Sequence, residues 1–238
     1  MQFFEDLKWD SDFFGYKVAQ ILNQDIDEQY FTETINYLKT QNYRLVYLKT
    51  EPENTKLNDF AKRNKIFLAD KKVTFSIKFS EADNFSESNE IKDYKHDFVS
   101  DDLLKLAYQC GEFSRFKIDK NFKNREFEKL YQIWIEKSVK KEIAEKIFAY
   151  YIENSVSGMI TLTKKNNIGI ISLIGVDSNF RGQKIGQKLI EQTKNYFKQQ
   201  NIFKIDVVTQ LDNQTACNFY KKCGFKISKI ENIYHLWM

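Results

Sequence analysis

Arg181, Gly182, Lys184 and Gly186 fall together in "RGQKIG", shortly after the hydrophobic run "GIISLIGV" and the turn-like "DSNF". The chain has only 8 glycines, so gathering Gly175, Gly182 and Gly186 into one short stretch is a local demand and not a compositional accident. A strand that delivers the chain into the start of a helix exposes backbone N–H groups and the positive end of a helix dipole. Basic side chains at 181 and 184 add formal charge beside those donors, and small residues let a ligand approach the backbone. That is the chemistry of an anion site, best suited to a pyrophosphate. The plainer reading, a turn followed by a basic helix start, stays open on this stretch alone.

A second cluster lies in "TQLDNQTACNFYKKCGF" (209–225), where Asn213 ends a strand pattern and a helix follows. Asn213, Ala216 and Tyr220 recur at i, i+3 and i+7, which puts them on one helix face. Gly224 suits the residue after the helix, where a positive φ is common. Here too a plainer reading stands beside the functional one, with Tyr220 a core aromatic and Asn213 a helix cap. A third cluster, "SRFKID", offers Arg115 and Lys117 with Phe113 and Phe116 beside them. Guanidinium and ammonium groups next to aromatic faces suit a nucleotide diphosphate and its base or sugar. Core phenylalanines with solvated basic residues are the alternative.

Composition narrows the classes. At 238 residues the chain holds one large domain or two small ones. Its 37 Lys and Arg are interleaved with 33 Asp and Glu, giving a net charge of +4 without a basic block, which argues against a nucleic-acid partner. No apolar run reaches membrane-spanning length, and "MQFFEDLKWD" lacks the pattern of a signal peptide. A cytoplasmic protein without a membrane partner is expected. Cys110, Cys217 and Cys223 form no CxxC pair, and His96 and His235 are the only histidines, so reduced structural cysteines and no metal site are expected. His96 reads as a surface residue and His235 as part of a terminal strand.

The elements that must position these groups follow from periodicity. Strand patterns at 16–22, 43–50 and 72–79 alternate with helical spacing at 27–41 and 54–65, an α/β unit. The polar stretch "SEADNFSESNEIKD" (80–93) reads as a linker, which divides the chain into an N-terminal domain of residues 1–92 and a second of residues 93–238. After it come helical patterns at 101–110 and 125–146 and strands at 147–153, 157–164 and 169–178, with Asn154 and "KKNN" supplying turns. A helix over 182–199, a strand over 204–210, a helix over 213–222 and two terminal strands complete the chain. No internal repeat is evident.

In their order and spacing the first two clusters resemble the GNAT superfamily of acyl-CoA-dependent N-acyltransferases. The family's phosphate loop reads Arg/Gln-x-x-Gly-x-Gly/Ala; "RGQKIG" supplies Arg181 and Gly186 but has Lys184 at the first glycine. The later segment is intact as Asn213, Ala216, Tyr220 and Gly224-Phe225. The resemblance covers about residues 95–238 and implies an α/β fold with a mixed, mostly antiparallel sheet flanked by helices, joined to a smaller N-terminal α/β domain. It implies acyl-CoA as cosubstrate and no metal. Backbone donors at Ile174, Gly175 and Val176 would take the acyl carbonyl, and Arg181, Gly182, Gln183, Lys184, Ile185 and Gly186 the pyrophosphate. Asn213 would contact the pantetheine arm or order a water, Ala216 would lie at the cofactor, and Tyr220 would protonate the departing thiolate. If residue 184 keeps a helical conformation, its N–H serves as a glycine's would.

Segments "LKWDSDFFGYKVAQI", "GEFSRFKIDKNF", "LYQIWIEKSV" and "YHLWM" are similar to the branch that includes dTDP-fucosamine acetyltransferase. That similarity implies acylation of the amine of a dTDP-linked amino-dideoxy sugar for bacterial surface polysaccharide, with Arg115, Phe116 and Lys117 at the nucleotide sugar. The acyl group is acetyl or longer. A protein or polyamine acceptor, or a non-catalytic acyl-CoA-binding module, are the alternatives. No general base is placed; Glu112 and Asp177 are the carboxylates considered. A homodimer formed through a sheet edge is the one protein partner considered.

Overall fold

The computed structural model describes residues 4–22 and 28–238. Two compact units emerge, one of residues 1–73 with 229–238 and one of residues 74–228. The division therefore falls near residue 73 and not in the polar segment around 92. That segment is fastened inside the second unit, as described below.

In the first unit, strand β1 (Phe4–Asp6), helix α1 (Lys8–Phe14) and strand β2 (Lys17–Ile21) precede helix α2 (Glu28–Thr40), strand β3 (Tyr43–Thr50) and helix α3 (Thr55–Arg63). The first residue of the expected helix, Asp27, lies outside the described residues. Strand β1 is antiparallel to β2, and β2 is parallel to β3 with Val18 opposite Leu45. The end of β10 (Lys226–Trp237) runs antiparallel to β3, from Asn232 opposite Thr50 to Trp237 opposite Leu45. The expected pair of terminal strands is thus one continuous strand, since neither Gly nor Pro interrupts it. Helices α2 and α3 bury Phe31, Leu38, Leu57 and Phe60 against Val46 and Leu48. His235 is buried in β10, its ring 5.0 Å from that of Tyr47.

The second unit contains the end of β4 (Phe67–Lys78), β5 (Ile91–Asp93), α4 (Asp101–Cys110), the short α5 (Arg115–Ile118), α6 (Glu126–Val139), β6 (Lys146–Ile152), β7 (Ser155–Lys165), β8 (Ile168–Val176), α7 (Ile185–Lys198), β9 (Lys204–Gln210) and α8 (Gln214–Lys222). Its strands lie in the order β4-β9-β8-β7-β6-β5. Pairing is antiparallel from β5 through β8 and parallel between β8 and β9. Two tight hairpins make this possible. Glu153-Asn154 and Asn166-Asn167 all have positive φ, the conformation that two-residue turns between antiparallel strands demand and that Asn tolerates. Helix α4 starts at Ser100, whose hydroxyl accepts from the Leu103 amide at 3.3 Å, and it buries Leu103, Leu106 and Ala107 on the sheet with α6.

The polar segment after β4 is tied to α7. Lys198 Nζ donates to the Asp83 carbonyl at 2.7 Å, Asn195 Nδ2 to the Phe85 carbonyl at 3.3 Å, and Ser86 bonds Glu191. Phe85 also meets Phe79 edge-on at 5.3 Å. It is a strap within one unit, not a free linker.

The two units share a motif that the sequence hides. Parallel strands β2 and β3 are joined through α2, as β8 and β9 are through α7. Each second strand then leads to an Asn cap, Asn54 or Asn213, whose side chain accepts from the amide three residues on. A nine-residue helix follows in both, and each then turns through a positive-φ residue, Lys65 or Gly224. Ala61, fully buried, holds the position in α3 that Tyr220 holds in α8.

Candidate functional site

The site is built on the last residues of β8. Its register with β7 jumps between Leu162 opposite Ile171 and Thr161 opposite Leu173, so Ser172 is an extra residue and the strand bends there. The Leu173 amide donates to Thr161 Oγ1 at 2.9 Å and the Asp177 amide to the Ser157 carbonyl at 2.9 Å, both toward β7. Backbone groups alternate along a strand, so the amides of Ile174 and Val176 turn to the opposite edge. That edge faces β9. The parallel ladder of β8 with β9 runs only from Gly169 opposite Ile205 to Ile171 opposite Val207, while β8 continues to Val176 and β9 to Gln210. The strands splay, and two amide donors point into the opening.

Gly175 lies between those donors and faces α4. A Cβ there would come within 2.9 Å of Cys110 Sγ and 3.3 Å of the Leu106 carbonyl, so the glycine serves close approach of the helix. Burial pushes the Cys110 thiol up to about 12, against the pull of the Ile174 amide and the Arg181 charge. Cys110, Cys217 and Cys223 are all free thiols.

Past Val176 the chain turns sharply. The Asp177 carboxylate accepts from the Asn179 amide at 2.9 Å and pairs with Lys105 Nζ at 2.7 Å, contacts that hold it below the usual carboxylate range. Arg181 Nε donates to the Val176 carbonyl at 3.3 Å, so the guanidinium stands at the mouth of the splay. Gly182 has φ +84°, with open space where a Cβ would be. Helix α7 begins at Ile185, three residues later than the periodicity predicts. Lys184 precedes it in the left-handed conformation (φ 61°, ψ 12°), so the helical condition set for residue 184 is not met. Glycine takes that conformation without cost, which accounts for the glycine of the pattern; lysine takes it with strain. The first intrahelical bond runs from the Lys188 amide to the Lys184 carbonyl, so the amides of Ile185, Gly186 and Gln187 have no acceptor within the helix. Gln187 was not singled out by the motif. Gly186 is small for a different reason than expected: a Cβ there would press on the Phe219 ring at 3.1 Å.

Tyr220 is buried, with ring centroids 5.5 Å from Phe75, 5.3 Å from Phe219 and 5.8 Å from Phe225. Burial, reinforced by Cys110, Cys223 and Cys217, raises its phenol above the ordinary tyrosine range. Asn213 caps α8, its Oδ1 accepting from the Ala216 amide at 3.1 Å. The capping role read as the plainer alternative is therefore present.

Arg115, Phe116 and Lys117 come together on the single turn of α5, capped by Ser114, whose Oγ accepts from the Phe116 amide at 3.3 Å. The Arg115 guanidinium lies 4.6 Å from the centroid of Phe116. Lys117 pairs with Glu112 at 2.5 Å and stands 5.0 Å from the Phe127 ring. Both carboxylates considered as a base, Glu112 and Asp177, are thus tied into ion pairs. His96 is exposed, between the rings of Tyr94 and Phe98. Among the described residues no group of three or more His, Cys, Asp or Glu is arranged to hold a metal ion, and no helix is long and apolar enough to cross a membrane.

Residues 109–225 match the acetyltransferase (GNAT) family. Over 66 residues the chain is 35% identical to a streptothricin acetyltransferase of Escherichia coli, an alignment covering 28% of this chain and 38% of that protein. The match thus spans little more than a third of that relative's length. Among solved structures, a GCN5-related N-acetyltransferase from Sphaerobacter thermophilus superposes with a TM-score of 0.61 over 93% of this chain and 72% of its own, at 10% identity. A tandem GNAT protein of the clavulanic acid biosynthesis pathway gives 0.57 over 92% and 75%, at 11% identity. The fold is the GNAT fold. The match to the GNAT acetyltransferase family lies in residues 109–225, just under half of the chain.

Proposed function

We propose that this chain is an acyl-CoA-dependent N-acyltransferase that acylates the amine of a dTDP-linked amino-dideoxy sugar in the cytoplasm. The observation that carries the donor half is the pair of amides, Ile174 and Val176, turned to a strand edge whose ladder has already ended. Such donors suit a thioester carbonyl and the pantetheine arm. The CoA pyrophosphate fits the turn from Arg181 to Gly186, where Gly182 leaves open space and the first-turn amides of α7 lack helical acceptors.

The chemistry needs few groups. The neutral amine attacks the thioester carbon, the oxygen gains charge against the Ile174 amide, and the C–S bond then breaks. A preorganised donor of that kind is worth about 3–4 kcal/mol. The departing thiolate takes its proton from Tyr220, which burial keeps in the phenol form. The surplus proton on nitrogen leaves to solvent, since Glu112 and Asp177 are committed to lysines.

For the acceptor, the argument is charge. Helix α4 ends at Cys110, against Gly175, and the chain passes directly into the segment 112–125, which carries five Lys or Arg against two acidic residues. An anionic nucleotide diphosphate is favoured there, with the Arg115 guanidinium, stacked at Phe116, and the Lys117 ammonium as the charges nearest it. The partial likeness to a streptothricin acetyltransferase supports a second reading, streptothricin as acceptor. A cationic acceptor meets repulsion from the same basic segment.

Release of CoA thiol, measured with acetyl-CoA against a panel of dTDP-amino sugars, streptothricin and polyamines, tests the assignment. Turnover with a dTDP-amino sugar is expected. Turnover with streptothricin alone overturns the acceptor, and failure to bind acetyl-CoA overturns the donor.

A further inference from the structure

We propose that Cys110 sets the length of the acyl group this site accepts, its thiol standing beside the amide that would hold the thioester carbonyl. The inference rests on the acyl-CoA reading above and deepens it.

Three observations converge. The Cys110 thiol lies against β8, close enough that a Cβ on Gly175 would meet Sγ at 2.9 Å. The same thiol feels the Ile174 amide, one of the two donors turned into the splay. Helix α4 cannot draw back to make room, because Leu103, Leu106 and Ala107 bury it on the sheet and the Leu106 carbonyl would lie 3.3 Å from that same Cβ. An acyl carbonyl on the Ile174 amide therefore directs its substituent toward Sγ. A methyl group needs little space there. A longer chain needs the volume that the thiol fills.

The thiol acts by size, not as a nucleophile. Burial disfavours its thiolate, and only the thiolate attacks a thioester. The pocket is thus shaped by an unreactive sulfur next to a reactive bond.

The test uses the full chain and three probes, CoA, acetyl-CoA and butyryl-CoA, with dissociation constants measured by calorimetry for wild type, Cys110→Ala and Cys110→Ser. Wild type should favour acetyl-CoA over butyryl-CoA by about tenfold or more, the discrimination that extra methylenes allow in a tight pocket. Cys110→Ala should erase most of that preference by admitting butyryl-CoA. Cys110→Ser, nearly the same size, should keep it. Binding of CoA itself should be alike in all three, which also reports that the variants fold. If the alanine variant does not fold, Cys110→Met supplies the opposite change: weaker acetyl-CoA with CoA unaltered. An unchanged preference in Cys110→Ala, a serine variant that behaves like alanine, or a methionine variant that binds acetyl-CoA normally overturns the proposal. Wild type that binds none of the three probes defeats the acyl-CoA reading instead, a separate result.

Discussion

The ring of Tyr220 packs 5.5 Å from that of Phe75, so the phenol proposed as the acid is carried by the aromatic core of its unit. Tyr220→Phe should keep that packing and remove only the hydroxyl. Acetyl-CoA affinity and thermal stability should change little, while turnover falls by roughly 10²-fold or more, the range for loss of a general acid. Steady-state rates beside a calorimetric titration separate the two effects. Turnover equal to wild type would remove Tyr220 from the mechanism.

Burial raises the same phenol above its ordinary value, and this has a sign. A raised folded-state pKa means the stability linked to it is complete below about pH 10, the unfolded value, and is lost as pH climbs toward the folded one. Denaturant midpoints compared above pH 10 should therefore fall faster in wild type than in Tyr220→Phe. For the same reason the rate profile should show no loss of an essential acid near pH 10. A break there that Tyr220→Phe abolishes would mean the phenol ionises normally.

Asp177 runs the other way. Lys105 and the Asn179 amide hold its carboxyl below the usual range, so its contribution is present above about pH 4 and fades as pH falls through the folded value. Because Lys105 is half exposed, the pair is worth at most about 1 kcal/mol. Lys105→Met should lose up to that amount at pH 7 and converge with wild type in acid. Thermal denaturation at pH 7 and pH 3 gives the comparison. A difference that persists at pH 3 would assign the effect to packing.

Much of this fold is legible in the sequence. Alternation marks β7 and β8, Asn154 and Asn166-Asn167 mark their turns, and "RGQKIG" and Asn213 through Tyr220 carry the family resemblance. What is hidden depends on contacts distant in sequence. Nothing near Gly186 announces the Phe219 ring that keeps it small, and nothing near Gly175 announces Cys110. The shared motif of the two units escapes notice because Ala61 stands where Tyr220 does, leaving the pattern only in caps and backbone turns. The polar segment 80–93 has a linker's composition, yet its backbone carbonyls are taken by Asn195 and Lys198 on α7.

The contact of Gly175 with Cys110 predicts coupling. Gly175→Ala places a methyl 2.9 Å from Sγ and should cost about 1–3 kcal/mol, typical of overpacking. Adding Cys110→Ala should recover part of it, because the methyl then occupies the space the sulfur leaves. Urea unfolding of both single variants and the double variant closes the cycle. Strictly additive losses would show that the clash lies with the Leu106 carbonyl alone.

Lys184 separates backbone from charge. Its left-handed conformation costs an L-residue roughly 1–2 kcal/mol, and a glycine relieves that while losing roughly 0.4–1 kcal/mol through the freer unfolded chain. Lys184→Gly should therefore match or slightly exceed wild type in stability, whereas Lys184→Val, β-branched at positive φ, should fall by about 1–2 kcal/mol. Acetyl-CoA binding adds the second half. If the loop holds the pyrophosphate through its amides, Lys184→Gly should bind within a few-fold of wild type at high salt and show a shallower salt dependence, since only the screened ammonium is gone. Chemical denaturation and titrations at two salt concentrations measure both. Equal destabilisation by glycine and valine would show that the backbone at 184 has no need of the left-handed region.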